Sequence, residues 1–282
     1  MKKIDNLKSI IKEAIKIEEA LSSDAGKQYG GGGGGSKSSS GWGSKDSEAS
    51  DNAPTGGPEP KGPISGPYPA GNIKLVEKYM DEAGMTNGYT RVALLSVLAK
   101  ESSLVPKSEK TYHNTSVSRI KTIWPWLGKK YSDDEIEKLK VSTSPSDGNN
   151  KAGLGLFDIV YGPERPGATY GNKLKDDGSR FRGRGFNQIT WRGTYERMGF
   201  ASNPDALNQP DGAAKAGVSF LARRLKQKFG TVNPPFKSQA EANKALANAN
   251  AGWGKKLGGR GNDSLARAIA NTNAASKKFK TV

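Results

Sequence analysis

Two glutamates in the middle of the sequence have the type and spacing for acid–base chemistry. Glu101 ends the apolar segment RVALLSVLAKESS, and Glu109 follows in the polar segment VPKSEKTYHNT. Partial burial beside the leucines would raise the pKa of Glu101, whereas the lysines near Glu109 would keep it ionised. Glycoside hydrolysis needs this division between a protonated and an ionised carboxyl group. Glutamates at this spacing are also common by chance, and Glu101 could equally be a surface residue at a helix end.

Several other chemistries are excluded by composition. The chain has no cysteine, which excludes a disulfide framework, a thiolate zinc site and a cysteine nucleophile. Its single histidine, His113, cannot form a two-histidine metal site. No G-x-S-x-G segment accompanies it, so we expect a loop hydrogen bond at His113 and no serine triad. The segment GRGFNQ lacks the features of phosphate-binding loops, and Asp176–Gly178 lacks the further acidic ligands of a calcium loop. We expect no metal and no cofactor.

The positive charge lies in the C-terminal part of the chain. The formal net charge is +16, yet residues 1–70 contain nine lysines and nine acidic residues. The excess therefore belongs to residues 71–282, with 35 Lys and Arg against 19 Asp and Glu. A basic domain attracts polyanions such as nucleic acid, an anionic cell wall or a membrane surface. Because Lys and Arg are scattered and form no dense run, we do not expect nucleic acid to be the partner.

The N-terminal part has the composition of a helix followed by a linker. Residues 1–21 place apolar residues at helical spacing, which predicts an amphipathic helix for docking or targeting. Residues 22–70 are rich in Gly, Ser and Pro and predict a flexible linker. No apolar run is long enough to span a membrane, and no secretion signal is recognisable.

Residues 71–282 predict a mainly α-helical domain. Helical periodicity or helix-start signals mark the segments NIKLVEKYMDEAG, TRVALLSVLAKESSL, SRIKTIWPWLGKKY, SDDEIEKLK, GAAKAGVSFLARRLKQKF and SLARAIANTN. The second segment is apolar on almost all sides, which is typical of a central buried helix. Only Phe186–Trp191 hints at a strand, and long loops carry most of the polar residues.

A series of motifs from about Ala93 to Leu225 extends these observations. In chain order they are LAKESSL, SEKTYHNTSVSRIKTIWP, LFDIVYG, TYGN, DDGSRFRGRGFNQITWRGTYERMG, NPD and AAKAGVSF. In this order and spacing they resemble the chitinase-related lysozymes of glycoside hydrolase family 19. The most specific piece is DDGSRFRGRGFNQIT, which is close to the G-D-G, [FY]-R-G-R-G and Q-[IL]-T signature of that family.

The resemblance implies roles for individual residues. Glu101 matches the family's general acid, and Glu109 matches its general base in the pattern of phage members. Gln188 and Thr190 match residues that line the cleft, with the Thr190 hydroxyl helping to hold the attacking water. Further predicted substrate-binding residues are Tyr112, Tyr195 and Asn250. The sequence departs from the family at Thr194, where an Asn commonly precedes the Tyr, and ANANAGWG is only loosely similar to the family's late Asn-Gly-Gly segment.

The segment FRGRGFNQIT, residues 181–190, also has a physical interpretation. Glycines without a Cβ would let the backbone lie close to a bulky sugar chain. Alternation along a short extended segment would place Gln188 and Thr190 on one face. The two arginines, Arg182 and Arg184, would anchor the loop or meet acidic groups, and a glycine turn with structural salt bridges is the alternative.

The resemblance implies a two-lobed, lysozyme-like domain with a central cleft. Such a domain would hydrolyse β-1,4 bonds between the amino sugars of peptidoglycan glycan strands with inversion, which needs carboxyl groups about 6.5–9.5 Å apart. Chitin is the second candidate substrate. A non-catalytic glycan-binding protein and a basic nucleic-acid-binding structural protein are alternatives of another class.

The family's phage members suggest two settings for such an enzyme. A free endolysin waits in the host cytoplasm until lysis, whereas a virion-associated lysin is carried by the phage particle. Residues 1–21 would suit docking to phage structural proteins, with the linker providing reach. The segment IEEA, residues 17–20, also resembles the Ile/Leu-x-Glu sites cut by head-maturation proteases of large tailed phages. Removal of a short N-terminal peptide is therefore an expectation for the virion setting.

Overall fold

Eleven α-helices account for most of the residues that the computed structural model describes, which are 58–144, 152–167, 170–251 and 259–281, with the backbone alone at 259–264. They are α1 (Ala70–Glu82), α2 (Gly88–Ser102), α3 (Val117–Ile123), α4 (Leu127–Lys130), α5 (Asp133–Val141), α6 (Leu154–Val160), α7 (Asp177–Arg180), α8 (Arg192–Arg197), α9 (Pro210–Phe229), α10 (Gln239–Ala251) and α11 (Gly259–Ser276). A 3-10 helix spans Pro204–Asn208. The prediction of a mainly α-helical fold is confirmed.

Two short antiparallel strand pairs accompany the helices. Strand β1 (Ile64–Ser65) pairs with β4 (Lys280–Thr281), and β2 (Lys107–Ser108) pairs with β3 (Arg184–Gly185). The second pair joins segments that are far apart in the chain. It therefore places the residues after α2 beside the FRGRGFNQIT segment.

Local signals explain where several helices begin and end. The Asn87 side chain caps α2 by accepting from the Thr90 N–H at 2.9 Å. Ser132 and Glu135 form a capping box at the start of α5. Helix α9 begins with Pro210 and ends at Gly230, whose φ of 73° is the left-handed conformation typical of a helix C-terminus.

The largest hydrophobic cluster is built around α2. This helix is buried on nearly every side and packs against α10 and α11, while α1 packs against α9. Burial on all sides explains why α2 has apolar residues around its whole circumference. Glu101 lies in the last turn of this rigid helix.

A second hydrophobic cluster lies among α3 to α6. Its buried members are Val117, Ile120, Leu127, Ile136, Leu154, Leu156, Phe157 and Val160. The aromatic residues Tyr112, Trp124 and Tyr161 pack against it. A third, smaller cluster lies around Phe181, Ile189 and Tyr195. The FRGRGFNQIT segment therefore packs on a small cluster of its own.

The predicted N-terminal organisation is corrected at its C-terminal boundary. Residues 1–57, which include the predicted helix at 1–21 and most of the linker, lie outside the described residues. Residues 58–69 were predicted to belong to the linker at 22–70, but they belong to the folded unit. Ile64 is buried, and its N–H donates to Glu77 Oε1 at 2.9 Å. The Glu59 carboxylate accepts from the Gly88 N–H at 2.7 Å.

Several elements differ from the sequence-based prediction. Helices α4, α6, α7, α8 and α10 were not predicted. The first four are short, and α10 is rich in Ala and Asn with few large apolar residues. The strand expected at Phe186–Trp191 is reduced to a single bridge between Arg184 and Ile189. Among the described residues, no helix has the length and apolar character needed to cross a membrane.

Candidate active site

The β2–β3 pair positions Glu109 against the glycine-rich segment. Glu109 directly follows β2, and its backbone N–H donates to the Gly183 carbonyl at 2.7 Å. In return, the Gly183 N–H donates to Glu109 Oε2 at 3.2 Å. These two bonds hold both the backbone and the carboxylate of Glu109 in place.

Tyrosines from the second hydrophobic cluster complete the surroundings of Glu109. The Tyr161 hydroxyl donates to Glu109 Oε1 at 2.9 Å, and the Tyr112 hydroxyl also bonds to this carboxylate. Burial raises the pKa of Glu109, and hydrogen bonds from Tyr161, Gly183 and Tyr112 counteract this only in part. The prediction that nearby lysines determine the pKa of this glutamate is therefore wrong. Within the described residues, Lys107 and Lys110 form no ion pair with it.

Gly183 is a point of convergence for three oxygen atoms. A Cβ built on this glycine would lie 3.0 Å from Gln188 Oε1, 3.3 Å from Glu109 Oε2 and 3.4 Å from Thr190 Oγ1. The absence of a side chain lets these groups approach one another. The sequence-predicted base and the two predicted cleft residues are thus brought together at one glycine.

The turn between Gly183 and Thr190 is tight. The Arg184 and Ile189 backbones exchange hydrogen bonds of 3.0 and 2.8 Å, which closes the segment between them. Gln188 adopts φ 55°, a left-handed conformation, so the extended alternation expected for this segment is wrong. Its Nε2 donates to the Lys107 carbonyl at 2.9 Å, which leaves Oε1 to point towards Gly183.

A cavity of about 530 Å³ lies beside this turn, and we call it the main cleft. Gln188, Thr190 and Asn250, all predicted substrate-binding residues, line it together with the aromatic residues Tyr170, Trp191 and Phe220. Tyr170, Gln188 and Trp191 have φ of 45°, 55° and 79°. Such conformations in non-glycine residues are strained and are concentrated at functional sites. The main cleft therefore combines polar groups, aromatic surface and backbone strain.

Glu109 itself lines a different cavity of about 380 Å³, together with His113 and Arg182. The side chains of Gln188 and Thr190, which line the main cleft, and that of Glu109, which lines this second cavity, all approach Gly183. A larger cavity of about 780 Å³, around Glu59, Glu77 and Arg91, contains none of the predicted site residues. The predicted site residues that line a cavity therefore lie at the two smaller cavities and not at this larger one.

Glu101 lies in a setting opposite to the one expected. It is exposed, and its Oε1 is 2.6 Å from Lys100 Nζ, so the predicted burial among leucines is wrong. The same oxygen accepts from Asn250 Nδ2 at 3.0 Å. Because Asn250 lines the main cleft, this bond ties Glu101 to the cleft at the meeting of α2 and α10. The left-handed residues Ser103 and Leu104, with φ of 58° and 55°, follow directly.

Two other predicted substrate-binding residues are not in contact with the main cleft. Tyr195 is fully buried, and its hydroxyl donates to the Arg182 carbonyl at 2.8 Å, so its predicted contact with substrate is wrong. Tyr112 is half-buried and holds Glu109, which makes it a positioning residue.

The two arginines of the signature are buried in the loop that they anchor. Arg182 Nη1 donates to the Ser179 carbonyl at 2.8 Å. Arg184 Nη1 donates to the Arg180 carbonyl at 2.8 Å. Arg184 Nε is 3.0 Å from Asp205 Oδ1, an ion pair in which the N–H does not point at the oxygen. Their structural role agrees with the anchoring expected from the sequence.

Several residues of the site were not found from the sequence. Tyr161 lies within the motif LFDIVYG, and its contact with Glu109 is a tertiary one. Asn187 lines the main cleft, and both its side-chain polar atoms are buried with no hydrogen-bond partner among the described residues. Arg165, Arg197 and Arg224 line the main cleft as well. A scattered arginine carries no signal in a sequence with 44 Lys and Arg, so none could have been singled out.

In the part of the chain that is described, no three or more His, Cys, Asp or Glu side chains are arranged so that they could hold a metal ion. The His113 Nδ1 lies 3.0 Å from the Thr111 hydroxyl, which is the loop hydrogen bond expected for it.

Comparisons with known proteins assign no family. No protein-family model matches the chain, and no curated protein matches its sequence. The case for function therefore depends on the site itself.

Proposed function

We propose that this protein is a peptidoglycan hydrolase of the lysozyme type, which cleaves β-1,4 bonds between amino sugars with inversion. The observation that carries the proposal is the convergence of Glu109, Gln188 and Thr190 at Gly183, beside a cleft whose far side reaches Glu101 through Asn250. Aromatic surface next to acid–base groups suits sugar rings, which present apolar faces. The family resemblance of the signature segment agrees with this proposal.

The same proposal includes a two-lobed, lysozyme-like arrangement. Glu101 belongs to a helix of the largest hydrophobic cluster, whereas Tyr112 and Tyr161, which hold Glu109, pack against the second cluster. Each carboxylate is thus supported by a different core. We take these two clusters as the lobes on either side of the glycan.

In this mechanism Glu109 acts as the general base. Hydrogen bonds from Tyr161 and Gly183 fix the carboxylate as an acceptor, and burial strengthens it as a base by raising its pKa. The Thr190 hydroxyl donates to the Gln188 carbonyl at 2.9 Å, so its oxygen can accept a hydrogen bond from water. A water held by Thr190 and Glu109 would attack the anomeric carbon while Glu109 takes its proton.

Glu101 acts as the general acid that protonates the leaving oxygen. Its exposure means that bound glycan must cover it, and Asn250 orients the carboxyl group towards the cleft edge. The bond between anomeric carbon and bridging oxygen breaks as the water oxygen bonds to that carbon. No cofactor takes part in the proposed reaction.

The test is hydrolysis of purified peptidoglycan by the wild type, Glu101→Gln and Glu109→Gln, followed by product mass spectrometry. Each variant should lose about 10²–10⁴-fold in activity, because the transferable proton or the base is removed. The exposed Glu164, which lies outside both cavities, provides the matched control Glu164→Gln, with wild-type activity expected.

The outcomes separate the alternative functions. Cleavage of chitin in preference to peptidoglycan would make the protein a chitinase. Binding to glycan without cleavage would make it a non-catalytic binder, and full activity of folded Glu109→Gln would remove Glu109 from the mechanism. NMR of fresh products should show the α-anomer, since a β-anomer means retention through an intermediate.

A further inference from the structure

A group of arginines lines the main cleft on the side of α8 and α9. We call Arg165, Arg197 and Arg224 the cleft arginines. Arg197 and Arg224 also line an adjoining cavity of about 150 Å³ together with Arg223. Helix α8 ends at Arg197, while Arg224 lies in the C-terminal half of α9. Two separate elements therefore bring guanidinium groups to one place beside Thr190.

The cleft arginines form no ion pair among the described residues. Arg197 Nη2 donates to the Thr194 hydroxyl at 3.2 Å, and Arg224 lies over the Phe220 ring at 5.2 Å from its centroid. Burial and the adjacent Arg223 cation lower the pKa of Arg224, although Arg is charged throughout the physiological range. Burial and the cations of Arg223 and Arg224 lower the pKa of Arg197, and the Glu196 carboxylate offsets this in part without forming a salt bridge.

Two side chains at the main cleft, those of Arg165 and Asn187, have buried polar atoms without a hydrogen-bond partner among the described residues. Arg165 lies over the Trp191 ring at 4.9 Å, and its Nε is buried with no hydrogen-bond partner among the described residues. The nitrogen and the oxygen of the Asn187 side-chain amide are also buried without a hydrogen-bond partner there. Buried polar groups without partners cost free energy, and such groups are rare away from functional sites. An anionic ligand with several oxygens would offer acceptors to the N–H groups of the cleft arginines.

We propose that the cleft arginines form a subsite for the carboxylates of the stem peptide that peptidoglycan carries on its muramic acid residues. This inference rests on the proposed function and names the feature that distinguishes the substrate. Chitin has the same β-1,4 linkage but no carboxylates. A cationic subsite would therefore not strengthen the binding of chitin. Arginine forms bidentate bonds with carboxylates, which selects an anionic peptide over a neutral sugar. Thr190 lines the same cavity, so a peptide bound by the cleft arginines would lie in the cleft that the proposed function assigns to the glycan.

The experiment compares two substrates with the full-length protein. One is intact peptidoglycan, and the other is the same peptidoglycan after carbodiimide coupling with ammonia has converted its carboxylates to neutral amides. Arg224→Gln should lower kcat/KM on intact peptidoglycan roughly ten-fold more than on the amidated substrate. Arg224→Lys keeps the positive charge but cannot form two parallel hydrogen bonds with a carboxylate. It should therefore give an intermediate decrease in kcat/KM. The matched control is Lys226→Gln, which removes one positive charge from an exposed position of the same helix and should change neither rate.

A binding measurement separates failure of this inference from failure of the proposed function. Calorimetric titration with a disaccharide that carries a stem pentapeptide should show binding that Arg224→Gln weakens, whereas the same compound with its carboxylates converted to amides should show little difference between the two proteins. If neither glycan is hydrolysed but this difference in binding remains, the subsite stands and the proposed activity fails. If hydrolysis occurs and Arg224→Gln affects both substrates equally, or neither, the subsite is wrong.

Nucleic acid is tested in the same series. Titration with a single-stranded oligonucleotide should show no dependence on Arg224 beyond that of Lys226. A loss of oligonucleotide binding that is specific to Arg224→Gln, with unchanged muropeptide binding, would overturn the carboxylate subsite and assign the cleft arginines to phosphate. Thermal melting shows whether each variant is folded. If Arg224→Gln does not fold, Arg224→Lys provides the test in its place.

Discussion

Glu109 and Gly183 are joined by two hydrogen bonds, one from each backbone N–H: Glu109 donates to the Gly183 carbonyl at 2.7 Å, and Gly183 donates to the Glu109 carboxylate at 3.2 Å. The residues are 74 positions apart in the chain. This reciprocal contact ties the candidate base to the signature segment.

Gly183→Ala should impair activity without unfolding the protein. Gly183 does not need a left-handed conformation, but a Cβ there would lie 3.0 Å from Gln188 Oε1 and 3.3 Å from Glu109 Oε2. Since a displacement of about 1 Å in a catalytic group can cost 10²-fold, we expect kcat/KM to fall roughly 10²-fold. Gly71→Ala, where nothing lies within 4 Å of the new Cβ, is the matched control. Equal activity of both variants would show that these oxygens need not converge.

Tyr161→Phe should move the acid limb of the kcat/KM profile to higher pH. The base must be ionised to act, and the hydrogen bond from Tyr161 lowers the pKa of Glu109 against the larger effect of burial. Removing that bond raises the pKa further, so activity is lost at a higher pH on acidification. Tyr131→Phe alters another tyrosine of the second cluster and should leave the profile unchanged. If the pH dependence of kcat/KM is the same in Tyr161→Phe and the wild type, the ionisation of Glu109 does not limit activity at acidic pH.

Glu109→Gln should raise the melting temperature near pH 7 although it lowers activity by about 10²–10⁴-fold. Burial raises the pKa of Glu109 in the folded protein above its value in the unfolded chain. The folded state therefore binds the proton more tightly, and the stability linked to this proton is present at low pH and lost as the pH rises through the folded pKa. The neutral amide avoids that loss, so the advantage of the variant should shrink on acidification. Melting curves from pH 4 to pH 8 provide the measurement.

A fragment that begins at Asn72 should be less stable than one that begins at Pro58. The shorter fragment loses β1, the buried Ile64 side chain and the Glu59 contact with Gly88. Burial of an isoleucine contributes about 1.5–3 kcal/mol, which corresponds to a decrease of roughly 3–10 °C in melting temperature. Calorimetry of both fragments tests this. Equal melting temperatures would mean that residues 58–71 lie on the domain without stabilising it.

Local signals in the sequence were sufficient to predict most of the long helices. The Ser132 cap, the periodicity of α1 and α9 and the apolar circumference of α2 all act within a few residues, where chain geometry dictates the outcome. The short helices and α10 were missed because tertiary packing, and not a local pattern, stabilises them. The strand expected after Phe186 became a tight turn for the same reason.

The resemblance in motif order and spacing also named five candidates, Glu101, Glu109, Gln188, Thr190 and Asn250. Gln188, Thr190 and Asn250 line one cavity, Glu109 approaches Gln188 and Thr190 at Gly183, and Glu101 accepts a hydrogen bond from Asn250. Their environments were decided by tertiary structure alone. Glu109, in a polar segment with lysines, is enclosed by Tyr161 and Gly183 from distant parts of the chain. Glu101, at the end of the most apolar helix, is exposed beside Lys100 and Asn250. A residue's type is written in the sequence, but its burial and electrostatic surroundings depend on segments that only folding brings together.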